Sequence, residues 1–155
     1  MHSGIRFQLL VTCCLTLLSC GQWRRGETVL VPNGYTGWVT IEYSLPGAPA
    51  LIQQNGRYLI TIDAQGKALT STPMETGLGN DQYFYTDASG ERTELSLAAG
   101  TGNNAAGSVM VQGVRYITVP QLENQKPRQV KAFFVGSKSE YALAPKSDKW
   151  LLGNT

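Results

Sequence analysis

Histidine is almost absent from this 155-residue chain, and cysteine is confined to its beginning. The one histidine is His2, and the three cysteines are Cys13, Cys14 and Cys20. Beyond Cys20 there is neither imidazole nor thiol. A domain built from that remainder cannot assemble a Ser-His-Asp or Cys-His machine, a His-ligated zinc or copper site, a cysteine metal cluster or a disulfide. Paired-carboxylate chemistry, Ser-Lys chemistry and calcium binding stay open. The expectation is a protein that is not an enzyme, with no cofactor and no metal, because the usual acid–base residue is missing.

An excess of charge of one sign is also missing. Thirteen Lys and Arg face eleven Asp and Glu, and Arg6 is the only charged residue ahead of Cys20. Such a balance lacks the electrostatic footprint of a polyanion binder, so nucleic acid is not expected as a partner. No stretch keeps a 3.6-residue apolar period for more than a couple of turns. The longest apolar run, Phe7 to Leu18, covers about 18 Å as a helix against roughly 30 Å of hydrocarbon, too short for a comfortable span.

That run has the length of an export signal's apolar region, and Arg6 supplies its positive head. It ends in Leu17-Leu18-Ser19-Cys20. Small Ser19 before Cys20, with Leu17 three residues ahead, resembles the lipobox of bacterial lipoproteins. The resemblance implies cleavage between Ser19 and Cys20, and fatty acylation that makes Cys20 the membrane anchor. Two or more acyl chains hold a protein on a bilayer stably. Gly21 in place of Asp resembles the pattern sent to the outer membrane, facing the periplasm, where the source has two membranes. The expected organisation is a removable signal peptide over 1–19, a short tether over 20–26 and one domain over 27–155. In the tether, Trp23, Arg24 and Arg25 are either a polar linker or a contact with anionic headgroups.

The domain reads as β throughout. Glu27 to Val31 is a strand stopped by Pro32-Asn33-Gly34. Trp38 to Tyr43 alternates, with Val39, Ile41 and Tyr43 on one face and Thr40 and Glu42 on a solvent face. Arg57 to Ile62 alternates again, and Asp63-Ala64-Gln65-Gly66 is expected as a hairpin turn into Lys67 to Ser71. Gln82 to Thr86 and Arg92 to Leu97 flank a second such turn, Asp87-Ala88-Ser89-Gly90. Both turns lack the alternating acidic ligands of a calcium loop. Ser108 to Val111 and Val114 to Val119 form two strands or one interrupted at Gly113, and Val130 to Val135 is a late core strand. Ser137 offers an N-cap for a short helical turn through Tyr141. The sum is an all-β fold: a single β-sandwich, immunoglobulin/prealbumin-like, of about seven or eight short strands.

Val31-Pro32-Asn33-Gly34-Tyr35-Thr36-Gly37-Trp38-Val39, Gly47-Ala48-Pro49, Gly56-Arg57-Tyr58, Thr70-Ser71-Thr72-Pro73, Tyr83-Phe84-Tyr85 and Phe133-Phe134-Val135-Gly136 together resemble an uncharacterised family of bacterial exported domains, a domain of unknown function. The resemblance runs from about Thr28 to Tyr141. It implies an all-β exported domain and carries over no reaction, cofactor or catalytic residue.

Candidate binding residues are the aromatics Tyr35, Trp38, Tyr83 and Tyr85, which can stack on sugar rings or anchor a peptide, and the loop acids Glu75 and Asp81. The alternative for each aromatic is core packing, and for each acid a solvated loop. The basic excess of the C-terminal residues, Lys131 included, reads as a solvated face. Three functions stay open: a membrane-anchored module binding an envelope protein or supporting an assembly, a carbohydrate- or small-ligand-binding module, and a carboxylate-dependent glycan hydrolase. Two converging buried carboxylates in a cleft would favour the last, and an exposed aromatic platform the second.

Overall fold

The computed structural model describes residues 23–98, 107–120 and 127–146. Within them the chain forms nine strands and one short helix. The strands are β1 Glu27–Pro32, β2 Gly37–Tyr43, β3 Ile52–Gln54, β4 Arg57–Thr61, β5 Lys67–Leu69, β6 Gln82–Thr86, β7 Arg92–Leu95, β8 Met110–Val119 and β9 Arg128–Gly136; the helix α1 spans Lys138–Leu143. Two sheets face each other, β3-β4-β1-β6-β7 and β5-β2-β9-β8. The expected sandwich is present, and its pairing is mixed: β1 runs parallel to both β4 and β6, and β2 parallel to β5.

Period-two patterning places the core. Val29 and Val31 of β1 meet Val39 and Ile41 of β2 and Phe133 and Val135 of β9, all fully buried. Burial of each such side chain favours the fold by about 1.5–3 kcal/mol. Tyr83 and Phe133 join the two sheets through an edge-on ring contact at 5.1 Å between centroids.

The outer face of β2 is not the solvent face that its alternation predicts. Thr40 and Glu42 are buried, as is Trp38 between them and the turn. The cause lies at the far end of the chain. Ser137 caps α1 by accepting from the Glu140 amide while Glu140 accepts from the Ser137 amide, a capping box that fixes the helix start. The helix then lays Tyr141 on Trp38 and Phe134, and the Trp38 indole donates to the Pro145 carbonyl at 2.7 Å. Arg128 closes the remaining side by donating to Glu42 at 2.8 Å.

One further detail, the Asp63 turn, differs from the sequence pattern, while the Asp87 turn and the stretch around Gly113 follow it. Asp63 does make a turn, its carboxylate accepting from the Gln65 and Lys67 amides. It carries the chain from β4 in one sheet to β5 in the other, so it is a crossover and not a hairpin. Asp87 does the same job in a true hairpin between β6 and β7. The β8 stretch is one strand whose register shifts between Gln112 and Arg115, with Gly113 at φ 60°. A side chain there would collide with the Tyr141 hydroxyl.

Candidate functional site

Glu27 opens β1 with the same parity as Val29 and Val31, so its carboxylate points between the sheets. Tyr43 ends β2 on the inward parity of Val39 and Ile41, and Lys131 shares the inward parity of Phe133 and Val135 on β9. The three side chains therefore converge at one end of the sandwich. Lys131 donates to Glu27 Oε2 at 2.7 Å and to Asp81 Oδ2 at 2.8 Å, and Tyr43 donates to Glu27 Oε1 at 2.8 Å. Asp81, just ahead of β6, also accepts from the Glu27 amide at 3.0 Å. Arg24 completes the cluster with a two-pronged contact to the Asp81 carboxylate at 2.8 and 2.6 Å.

The electrostatics favour fixed charges. Burial works to raise the Asp81 carboxyl, yet hydrogen bonds from Arg24 and the charge of Lys131 outweigh it and hold the group below its ordinary range. Burial likewise works against the Lys131 ammonium, and Tyr83, Glu27 and Asp81 overcome it, so the lysine stays charged beyond the ordinary range. Burial, then the charge of Glu27, pushes the Tyr43 hydroxyl far up. The Asp81 hydrogen bonds raise Arg24 above its already high value.

Around this cluster the surface is hollowed. A cleft of about 370 Å³ is lined by Arg24, Leu78, Asp81, Tyr83, Leu97 and Tyr116, among others. A smaller recess of about 160 Å³ lies beside it against Met74 and Glu75, and the two share Arg24, Gly77 and Tyr116. At the far end of β1 a polar hollow of about 210 Å³ is lined by Asn33, Tyr85, Asp87, Glu91 and Thr93.

The residues singled out by sequence fall into two groups. Asp81 and Tyr83 line the large cleft, and Glu75 lines the recess. Asp81 is not a solvated loop acid; it is the hub of the ion cluster. Glu75 accepts from the Arg25 amide at 2.9 Å and from the Tyr58 hydroxyl at 3.2 Å. The aromatics do not form a platform. Trp38 and Tyr83 are buried in the two hydrophobic clusters. Tyr35 donates to the Trp38 carbonyl and Tyr85 to the Tyr35 carbonyl, each at 2.6 Å, so these half-buried phenols tie down the β1–β2 turn. Ser19 and Cys20 lie outside the described residues.

Of the five cluster members, the sequence pattern marks only Asp81 as a site residue; Glu27, Tyr43, Lys131 and Arg24 are not so marked. The basic C-terminal composition groups Lys131 with a solvated face, yet its side chain is fully buried. Glu27 reads in the sequence only as a strand start. The signal for Lys131 and Glu27 was parity, a charge in line with buried valines and phenylalanines. Arg24, assigned to the tether, is instead seated in the domain with its guanidinium against Gly79, which leaves it unavailable to headgroups.

Chemically, Glu27 and Asp81 are two converging carboxylates beside a cleft, the first buried and the second partly so. A glycosidase pair needs one carboxyl held protonated near neutrality. Here Lys131 and Arg24 favour the charged form of Asp81. Among the described residues, no three His, Cys, Asp or Glu side chains gather as metal ligands.

Fold and cluster together define a class, an all-β sandwich with mixed sheets whose one end is cross-braced by buried ion pairs. The chain belongs to the family of unknown function DUF6843, whose profile matches residues 24–141. That span begins at the arginine that pairs with Asp81. A 2.75 Å crystal structure of a provisionally designated lipoprotein from Bacillus anthracis has a similar fold, with a TM-score of 0.55 and 23% identity over 78% of this chain and 79% of that one. No curated protein matches the chain.

Proposed function

We propose that this chain is an exported lipoprotein, anchored by acyl chains on Cys20, whose sandwich is a non-enzymatic body held against an envelope membrane to bind an envelope component or support an assembly. One observation carries the reading: the lipobox-like Leu17-Leu18-Ser19-Cys20 stands four residues before Arg24, which is already locked into the fold. The distance from anchor to domain is then about 14 Å at full extension. The provisional designation of the Bacillus anthracis protein supports the same reading. Carboxylates held in ion pairs support a structural cluster over a hydrolytic one. Gly21 after Cys20 supports anchoring in the outer membrane, facing the periplasm, in a two-membrane cell.

The test is the Cys20→Ser variant. The expected result is an uncleaved precursor or release from the membrane fraction, together with a wild-type protein whose mass shows an acylated Cys20 at its start. Normal processing and membrane retention in the variant would overturn the proposal.

A further inference from the structure

We infer that the rim of the large cleft is the face on which the domain sits in its own membrane, with Trp23 and Leu78 dipped into the lipid interface. The inference rests on acylation at Cys20 and adds how the folded body is oriented.

The described residues include eight large hydrophobic side chains left exposed, and four of them collect here: Trp23 at 78%, Leu78 at 59%, Leu97 at 56% and Tyr116 at 53%. Leu78, Leu97 and Tyr116 line the same cleft. Trp23 joins them because it bridges to Leu78 in parallel fashion and the next amide, that of Arg24, donates to the Leu78 carbonyl at 2.9 Å. Apolar side chains left in water on a monomer at this density mark a surface that something covers.

The occupant follows from position and charge. Cys20 is three residues from Trp23, so a bilayer holding its acyl chains lies within about 10 Å of the indole. Among the described residues, the only charged ones lining the cleft, Arg24 and Asp81, neutralise each other at 2.6 Å. Lowering this rim into the interface therefore strands no unpaired charge. Trp and Tyr flanked by Leu is the side-chain chemistry that settles at the headgroup boundary. The rim is also rigid before it meets lipid, since Arg24 is clamped to Asp81 and Arg25 to Glu75 and Tyr58. With the start of β1 at the membrane, its end and the polar hollow at Asn33, Asp87 and Glu91 point away, toward the envelope.

The test uses the acylated full protein, purified from membranes and reconstituted in phospholipid vesicles with brominated acyl chains. The fluorescence lost between wild type and Trp23→Phe isolates the Trp23 signal. That signal is expected to be quenched by the bromines and shielded from acrylamide in the water. A Leu78→Asp, Leu97→Asp double variant should lose the bromine quenching while its acyl chains keep it on the vesicles. A Trp23 signal open to acrylamide and untouched by bromine overturns the seating. Shielding that grows with protein density in the vesicles overturns it in favour of a second copy, and shielding that requires added envelope protein does so in favour of a protein partner. Mass analysis of Cys20 in the same sample separates the two readings: a bare thiol overturns both, and an acylated cysteine with an exposed Trp23 overturns the seating alone.

Discussion

Lys131 and Glu27, 104 positions apart in the chain, meet inside the sandwich at 2.7 Å and join its two sheets through an ion pair. Removing one partner of such a pair leaves the other buried and uncompensated, which costs about 3–5 kcal/mol. Lys131→Met keeps most of the side-chain volume and is expected to lower stability by that amount, read as a shift in the urea midpoint. Adding Glu27→Gln should restore part of the loss, because Asp81 still has Arg24. A Lys131→Met protein within about 1 kcal/mol of wild type would show that the cluster does not brace the fold.

The same cluster sets the response to pH. Asp81 is held below its ordinary value of 3.8, so the unfolded chain binds the proton more readily than the folded one. Its contribution is complete above that value and is lost as the pH falls through the depressed one. Tyr43 and Lys131 are shifted upward, so their contributions are complete below the ordinary values of 10.0 and 10.5 and fall away as the pH rises further. Urea midpoints are expected to decline at both extremes. Asp81→Asn should flatten the acid limb, and Tyr43→Phe the alkaline one. Part of the acid slope should persist in Asp81→Asn, because Asp87 and Glu140 are also held low, by the Ser89 side chain and the Ser137 amide. An acid limb identical to wild type in Asp81→Asn would rule this out.

Much of this fold is legible in the residues. β2 and β4 alternate, Asp-x-x-Gly marks both turns, and Ser137 offers the N-cap of the short helix. What escapes does so for physical reasons. β3, Ile52–Gln54, is a short edge strand with all three residues exposed, so no buried face imposes a period on it. The Asp63 turn has hairpin chemistry, and only tertiary packing sends its second arm to the other sheet. Glu42 looks solvent-facing because its cover is Arg128, 86 residues on, just as Trp38 on the same face is covered by Tyr141 of α1. Lys131 and Glu27 were visible as parity violations, but their meeting depends on a sheet-to-sheet register that no local pattern carries.

Gly66 offers a separate test of packing. It sits at φ 80°, and a Cβ there would strike the Tyr35 hydroxyl and come within 2.7 Å of the Trp38 carbonyl. Gly90 has nearly the same backbone, φ 85°, with open space around it. Alanine at either position carries the left-handed penalty of about 1–2 kcal/mol. Only Gly66→Ala also displaces the Tyr35 to Trp38 hydrogen bond, adding about 1–3 kcal/mol of overpacking. Equal midpoint losses in the two variants would refute the close approach.

The start of the chain should matter more to stability than a linker would. Chains beginning at Arg24 and at Glu27 differ by three residues, yet the shorter one lacks the guanidinium that grips Asp81 and the Arg25 amide that binds Glu75. Arg24 is 7% exposed in its side chain, so its loss uncovers Asp81 to water while leaving that carboxylate only Lys131 as a cation. A hydrogen bond to a charged partner contributes about 1.5–3 kcal/mol. The Glu27 start is therefore expected to be less stable by about 3 kcal/mol, near the cost of breaking a buried pair. Arg24→Gln in the full chain separates the two contributions: it removes the charge while keeping the Arg25 amide in place, and should reproduce most of the loss. Equal urea midpoints for the two starts would mean that residues 24–26 are a tether after all, and that the sandwich is complete from β1 onward.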